Sequence, residues 1–399
     1  MDLTAGAAST ASGSTEASKT RLAARSTEPL VIVGAGLAGS ATALLLARAG
    51  QPPPLLLERT LQTEPRLCGE FVSAEAAYLL ARLGVDALAL GGRPTRRLRV
   101  ASGKRVIEAE LPFTAIGLTR RTLDSALQQQ AQAAGVRLLR GQRVSIQQLG
   151  SATAPFVLQL PDAREVRTPT LLLATGKTDL APLPRQTVRE PEPLVGMRLH
   201  LQLAPAQARA IEGHVEVLLT RDGYAGLQPV EGGRVNLCLL MQRDPSKPRP
   251  ADLLAALQND CSLLAERMQG AQVMPEPPET IYRVPYGHLH RVVASDPPGL
   301  WRLGDQAAVI PSFTGDGMAI ALHSATLAAQ MLARNHTPGD YHRQLRADLQ
   351  SQIRRAHGLY RFGRHPAGQA VMLALLERFP LLLRFIAAMT RVSPAALRM

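Results

Sequence analysis

The chain has 399 residues, 46% of them hydrophobic, and a formal net charge of +13. That length exceeds what one hydrophobic core usually organises, so two interlocked domains are expected. The charge would suit an anionic partner, but the basic residues are scattered rather than clustered, which reads as a solvated arginine-rich surface and leaves nucleic acid outside the expected partners. Cys68, Cys238 and Cys261 lie far apart, with no CxxC pair and no histidines at metal-ligand spacing. No metal site or disulfide framework is expected, in agreement with a reducing cytoplasm.

In chain order, residues 1–28 are rich in Ala, Ser and Thr and lack the apolar core of a secretory signal, while Asp2, Glu16 and Glu28 argue against an organellar presequence. They read as a disordered tail. Residues 30–33 form a short β-branched run that enters Gly34-Ala35-Gly36-Leu37-Ala38-Gly39. A helix over 41–49, ended by Gly50, and a buried strand over 55–57 complete a βαβ unit. Residues 98–100 and 106–111 read as a hairpin around Ala101-Ser102-Gly103-Lys104. A helix follows over 123–134, then strands over 136–139 and 170–174.

From about residue 190 the pattern changes to longer alternating strands, at 195–203, 215–219 and 235–241, with Gly-containing turns between them. Helical periodicity at 251–268 follows. A strand at 300–303, a Gly-rich turn and a small-residue helix over 318–333 lead into a helical C-terminus. The fold class expected is α/β: a Rossmann-type nucleotide domain with an inserted antiparallel β-sheet substrate domain and a helical C-terminus. The nucleotide domain is assigned 29–95, 118–185 and 284–335, the sheet domain 96–117 and 186–283, and the C-terminal helices 336–399. No uncharged apolar run is long enough to span a bilayer. The nearest, 371–389, is interrupted by Glu377, Arg378, Pro380 and Arg384. It reads as a helix docked on its own protein, the alternative being peripheral contact with a membrane surface.

The glycine pattern fits GxGxxG and stands directly after a strand and at a helix start, where the chemistry of a dinucleotide requires it. Gly34 permits the tight turn, Gly36 lets the backbone approach a pyrophosphate, and Gly39 allows close packing, with Ala38 among them. The helix N-terminus offers free N–H groups to phosphate. Glu58, about 20 residues on at the end of the second strand, is placed to accept hydrogen bonds from an adenosine ribose, with Arg59 beside it; the alternative is a salt bridge. FAD and NAD share this motif.

The choice rests on Leu303-Gly304-Asp305-Gln306-Ala307-Ala308, then Pro311 and Gly315-Asp316-Gly317-Met318. This segment resembles the second flavin fingerprint of the p-hydroxybenzoate hydroxylase superfamily. The resemblance implies FAD, with Asp305 on the ribityl chain and the backbone of Gly317 and Met318 facing the flavin ring; the alternative is that Asp305 only caps a turn. Arg120-Arg121-Thr122-Leu123-Asp124 resembles the family's Arg-x-x-Leu-Asp segment. It implies Arg120, with Arg121 as second choice, against the cofactor, and Val144, in the strand after Gly135, at the adenine. Within the superfamily, the geranylgeranyl reductase-like branch is the nearest match. Cys68-Gly69-Glu70-Phe71-Val72-Ser73 is similar to its flavin-side segment, and Tyr224-Ala225-Gly226-Leu227-Gln228-Pro229 to its Tyr-x-Trp-x-Phe-Pro motif, which borders the prenyl pocket.

Two departures alter what the resemblance implies. Gly226 and Gln228 replace the aromatic residues of the pocket wall, and Ala174-Thr175-Gly176-Lys177 stands where many hydroxylases carry Ala-Asp-Gly, so NAD(P)H is only one candidate electron donor. Cys68 reads as a packing residue rather than a redox thiol. Glu70 is assigned to the substrate side, as a structural hydrogen-bonding group or, if burial raises its pKa, a proton donor. His288 and His290 make a poor metal pair without a third ligand, and Asp179 and His323 have no stronger claim. The function expected is an FAD-dependent oxidoreductase acting on a hydrophobic or aromatic small molecule by reduction or dehydrogenation of a carbon–carbon bond. The alternative is an FAD-dependent monooxygenase using oxygen and NAD(P)H.

Overall fold

The computed structural model describes residues 24–186, 193–242, 250–276 and 278–397. Five short parallel strands form its nucleotide sheet, in the order Leu300–Arg302, Leu171–Leu173, Val31–Val33, Leu55–Leu57 and Arg137–Leu139. The three central strands are apolar on every residue because both faces are covered, while the two edge strands each carry one arginine, Arg302 and Arg137. Ile32, Leu56, Leu138 and Leu172 face the helices Leu37–Arg48, Arg120–Ala133 and Gly317–Ala333. Their neighbours Val31, Val33, Leu55, Leu57 and Leu171 pack on Phe156, Leu158 and Val166 of a separate four-stranded sheet.

That small sheet pairs Arg25–Thr27, Glu165–Thr168, Phe156–Gln159 and Ser145–Gln148. It corrects the reading of 1–28 as a tail at its C-terminal end, where Arg25–Thr27 runs parallel to Glu165–Thr168. Residues 1–23 lie outside the described residues.

The large sheet runs Gln272–Val273, Leu194–Gln202, Val235–Gln242, Gly223–Pro229, His214–Leu219, Arg93–Ser102, Arg105–Gly117 and Phe71–Val72, with Glu279–Tyr282 also paired to Leu194–Gln202. It is antiparallel except where His214–Leu219 joins Arg93–Ser102 in parallel. Strand alternation sorts its two faces. Ala225, Leu227, Leu237 and Leu239 pack towards the helices Pro250–Asp260 and Ser262–Arg267. Tyr224 and Leu240 turn to the other face, towards Tyr360 of the helix Pro338–Gly363.

Several elements are longer than their periodicity suggests. The hairpin expected at 98–111 spans Arg93–Ser102 and Arg105–Gly117, because the ladder continues past the alternating positions, pairing Arg93 with Gly117 and Thr95 with Ala115. The helix expected from 123 begins at Arg120, where the Thr119 side chain accepts from Thr122 N. The segment 371–389 is two helices, Pro366–Arg378 and Leu381–Met389, docked on the hairpin through Leu373, Leu376 and Leu383 against Val100 and Ile107.

Candidate active site

A cavity of about 790 Å³ lies between the nucleotide sheet, the large sheet and the C-terminal helices. At its nucleotide end the three glycines differ in what they do. Gly34 has φ +105°, and a Cβ there would lie 2.4 Å from the Ala174 carbonyl oxygen; one on Gly39 would lie 1.9 Å from the Gly34 oxygen. Both are fixed by backbone packing, and Gly39 does not line the cavity. Gly36 does, and a Cβ on it would meet nothing closer than the Arg120 guanidinium at 3.6 Å. The helix that follows has no side-chain cap, so its first N–H groups are left for a ligand. Ala38 lines the same surface.

Glu58 is buried and engaged. Its carboxylate accepts from Ala35 N at 2.9 Å, Thr60 N at 3.1 Å and Arg66 Nη2 at 3.2 Å. Burial raises its pKa, but the Ala35 and Thr60 hydrogen bonds and the Arg66 charge together hold it below the ordinary carboxylate range. Glu58 therefore ties the glycine loop to the second strand, and a ribose would share oxygens already in use. Arg59 is exposed and reaches Thr178 Oγ1 at 3.5 Å. Val144 lines the cavity from the loop just before Ser145–Gln148, not from the strand after Gly135, which ends at Leu139.

Arg120, the first residue of its helix, forks onto Asp124 at 3.0 and 2.9 Å. Burial opposes its charge, yet Asp124 and Cys68 keep its pKa above the ordinary arginine value. Arg121 is exposed and faces Glu276 at 4.0 Å, so of the two arginines Arg120 lines the cavity. Gly69 and Cys68 lie alongside it. Cys68 Sγ accepts from Glu70 N at 3.4 Å. Cys238 lines the same cavity, and burial pushes its thiol up to about 12, which keeps it neutral. Glu70 is fully buried at φ +56°; one carboxylate oxygen accepts from Arg120 N at 3.1 Å and the other meets His200 Nε2 at 2.8 Å. These partners hold a backbone conformation that a non-glycine residue rarely adopts, and they engage both carboxylate oxygens.

Asp305 sits in the turn Gly304–Gln306 without capping it, and its carboxylate lies 3.3 Å from Lys177 Nζ. Burial works against the Lys177 charge, but Asp305 raises its pKa overall. Gly317 and Met318 open the helix Gly317–Ala333, and a Cβ on Gly317 would meet nothing within 4 Å. Asp316, just before them, is fully buried and accepts from Ser73 Oγ at 3.0 Å, Val392 N at 2.9 Å and Arg391 Nη1 at 3.2 Å.

On the sheet side, the Tyr224 hydroxyl accepts from Phe313 N at 3.2 Å and lies 3.1 Å from the Tyr286 hydroxyl, and both phenols share the Ser312 hydroxyl. Burial raises the pKa of both, so they stay protonated. Gly226 would accept a Cβ at ordinary contact distance, its nearest neighbours being the Glu216 and Cys238 carbonyl oxygens at 3.8 and 3.9 Å. Gln228 donates to Thr95 Oγ1 at 2.9 Å, so its amide turns to its neighbours while its oxygen has no partner. His288 meets the Gln306 carbonyl at 3.3 Å, His290 pairs with Asp296, His323 with Asp348 and Asp179 with Arg185. Among the described residues no three metal-ligating side chains come together.

Sequence spacing gave no signal for Lys177 with Asp305, Asp316 with Arg391, or Tyr286 and Ser312 with Tyr224. Each pair joins residues from different elements.

Residues 27–175 match the model of an FAD binding domain. That span holds Gly34 to Gly39, Glu58 and Arg120, and the open approaches at Gly36 and Gly317 suit a flat, phosphorylated cofactor. The chain is an FAD-dependent oxidoreductase. It is 28% identical over 319 residues, 76% of either chain, to a menaquinone reductase of Mycobacterium tuberculosis strain H37Rv. A menaquinone reductase of Mycolicibacterium smegmatis is 26% identical over 316 residues, again 76% of each. Two solved structures share the fold. One is a flavin-dependent brominase (TM-score 0.71, 17% identity, 91% of this chain and 93% of that one). The other is a geranylgeranyl bacteriochlorophyll reductase-like protein from Thermoplasma acidophilum (TM-score 0.67, 17% identity, 94% and 95%). Among the described residues no helix is long and apolar enough to cross a membrane.

Proposed function

We propose that the enzyme reduces a carbon–carbon double bond in a long apolar molecule of the prenylated quinone type, and that it belongs to the geranylgeranyl reductase-like branch. The observation that carries this reading is the far half of the cavity. It is walled by Leu98, Val100 and Val217 of the large sheet and by Leu376, Leu383 and Ile386 of the C-terminal helices, a lining suited to a hydrocarbon chain rather than to a polar metabolite. The names of the curated relatives agree with it.

In this reading the adenosine diphosphate half of FAD is held by Gly34, Gly36, Ala38, Glu58, Arg59 and Val144, with Gly39 serving only the packing of the loop behind them. Arg120, Cys68, Gly69, Asp305, Gly317 and Met318 hold the remainder. Bound FAD supplies two-electron, hydride-type chemistry. Free N–H groups at the Gly317 helix start stabilise negative charge next to them, and Lys177 offsets the Asp305 carboxylate so that the pair lines the cavity at little net charge. Gly226 and Gln228 border the substrate with Glu70 behind them, and the large sheet is the substrate-binding domain. The Tyr224–Ser312–Tyr286 hydroxyls, kept protonated by burial, carry the second hydrogen of the reduction as a proton relayed from one hydroxyl oxygen to the next. Reduced nicotinamide is the electron donor to be tried first.

The test is single-turnover reoxidation of the photoreduced holoenzyme without oxygen. Prenylated quinones should reoxidise the flavin faster as the side chain lengthens. Equal rates for quinones with and without the chain would remove the assignment of the apolar half.

A further inference from the structure

The two helices that wall the cavity turn a second apolar face to the outside. On Pro366–Arg378 the exposed positions include Val371, Ala374, Leu375 and Arg378, beside Pro366, Ala367, Ala370 and Glu377, and on Leu381–Met389 they are Leu381, Arg384, Phe385 and Ala388. Val371, Ala374, Leu375 and Arg378 on the first helix and all four positions on the second follow i, i+3, i+4, i+7 spacing, which is one stripe of a helix, and each stripe has an arginine set into it. Phe379 joins the stripes at the break. Exposure along this row runs from 45% at Leu375 to 74% at Leu381. Of the fourteen large exposed hydrophobic residues among those described, six fall between Phe362 and Phe385, so the surface is a patch and not scatter.

Charge says what the patch fits. Residues 351–391 contain seven arginines, six of them exposed and the seventh, Arg391, buried against Asp316, and one acidic residue, Glu377, which faces Arg105 at 3.7 Å. A protein partner recognising an apolar row would not need this excess of arginine, whereas a surface combining hydrocarbon with phosphate would be met by both features. The opposite side of the same helices, at Leu376, Leu383 and Ile386, lines the cavity, and Arg364 is both exposed and part of the cavity lining, so the cavity reaches the surface beside the patch.

We infer that the helix pair Pro366–Arg378 and Leu381–Met389 docks flat on an anionic phospholipid surface, with Val371, Leu375, Phe379, Leu381 and Phe385 entering the acyl boundary and Arg378 and Arg384 at the phosphates. The inference rests on this surface alone and stands whatever the enzyme reduces. Docked in this way, the cavity mouth at Arg364 lies at the bilayer, where long apolar molecules reside.

The experiment is co-sedimentation of the full-length holoprotein with vesicles of phosphatidylcholine alone or containing phosphatidylglycerol. Wild type should sediment with the phosphatidylglycerol vesicles, less so as salt rises. Leu381→Ser/Phe385→Ser and Arg378→Gln/Arg384→Gln should each bind about tenfold more weakly while keeping wild-type flavin absorbance and melting temperature, because none of the four residues lines the cavity. Wild type that stays in solution with both vesicle types would overturn the inference, as would variants that bind like wild type. Equally, a wild-type dimer in sedimentation analysis that Leu381→Ser/Phe385→Ser converts to monomer would assign the patch to a second copy of the chain instead.

Discussion

Arg391 and Asp316 are 75 residues apart in sequence, and their buried ion pair fixes the helix start that carries Gly317 and Met318. Replacing Arg391 with Met leaves the Asp316 carboxylate charged in a site with 0% exposure. Breaking a buried pair in this way costs about 3–5 kcal/mol. Asp316 keeps its hydrogen bonds from Ser73, Val392 and Gln352 and the favourable field of the helix N-terminus, which together place the loss near the lower end, at about 3 kcal/mol. The partner variant Asp316→Asn removes the charge, so in the double variant no uncompensated charge remains. Its loss should fall short of the sum of the single losses by about 2 kcal/mol. Urea unfolding of the holoprotein near pH 7.5, followed by circular dichroism and flavin fluorescence, measures all three variants. Losses that add to within about 0.5 kcal/mol would refute the coupling.

Other expectations follow from the same geometry. Asp305→Ala should weaken FAD binding about 10- to 100-fold, the worth of hydrogen bonds to a charged acceptor, and leave the melting temperature nearly unchanged; flavin titration of apoprotein checks it, and full retention of FAD would remove the assignment of Asp305. Gly226→Trp, at a cavity-lining position where a Cβ meets only ordinary contacts, should keep flavin occupancy but lower turnover of long-chain substrates about tenfold or more; unchanged steady-state kinetics would show that the substrate lies elsewhere. Tyr224→Phe should slow turnover about 100-fold with little change in KM and reduce the solvent deuterium effect, and an unaltered rate would exclude the hydroxyl relay. Burial lowers the pKa of His288 and of His290 to about 4 from an unfolded value near 6.5. Between those values the unfolded chain takes up protons that the folded chain does not, so stability falls as pH drops, by about 1.4 kcal/mol per pH unit for each histidine. Unfolding midpoints that stay constant between about pH 7 and pH 5 would contradict this.

The nucleotide half of the fold was legible because its central strands are apolar on every residue and its glycines stand at a strand–helix junction, a local signal. The small sheet was not legible. Arg25–Thr27 has no periodicity of its own and becomes a strand only by pairing with Glu165–Thr168, far along the chain. The same holds for the site. Gly34 to Gly39 and Glu58 announce themselves by spacing, but the reason Glu58 is buried and ionised, its hold on Ala35 and Arg66, depends on tertiary contact. Arg120 could be separated from Arg121 only once the helix start at Thr119 fixed which side chain turns inward. The segment 371–389 shows both limits. Its apolar residues divide between an inner and an outer face only after the break at Phe379 and Pro380 sets the rotation of two short helices.

Reduction of a carbon–carbon bond is tested most directly by the product formed when the reduced holoenzyme meets a prenylated quinone, with isotope-labelled dioxygen present in one arm and excluded in the other. The expected product in both arms has gained two hydrogens at a side-chain double bond and carries no label. A product that forms only with dioxygen and holds one labelled oxygen atom would contradict the reductase reading and make the enzyme a monooxygenase.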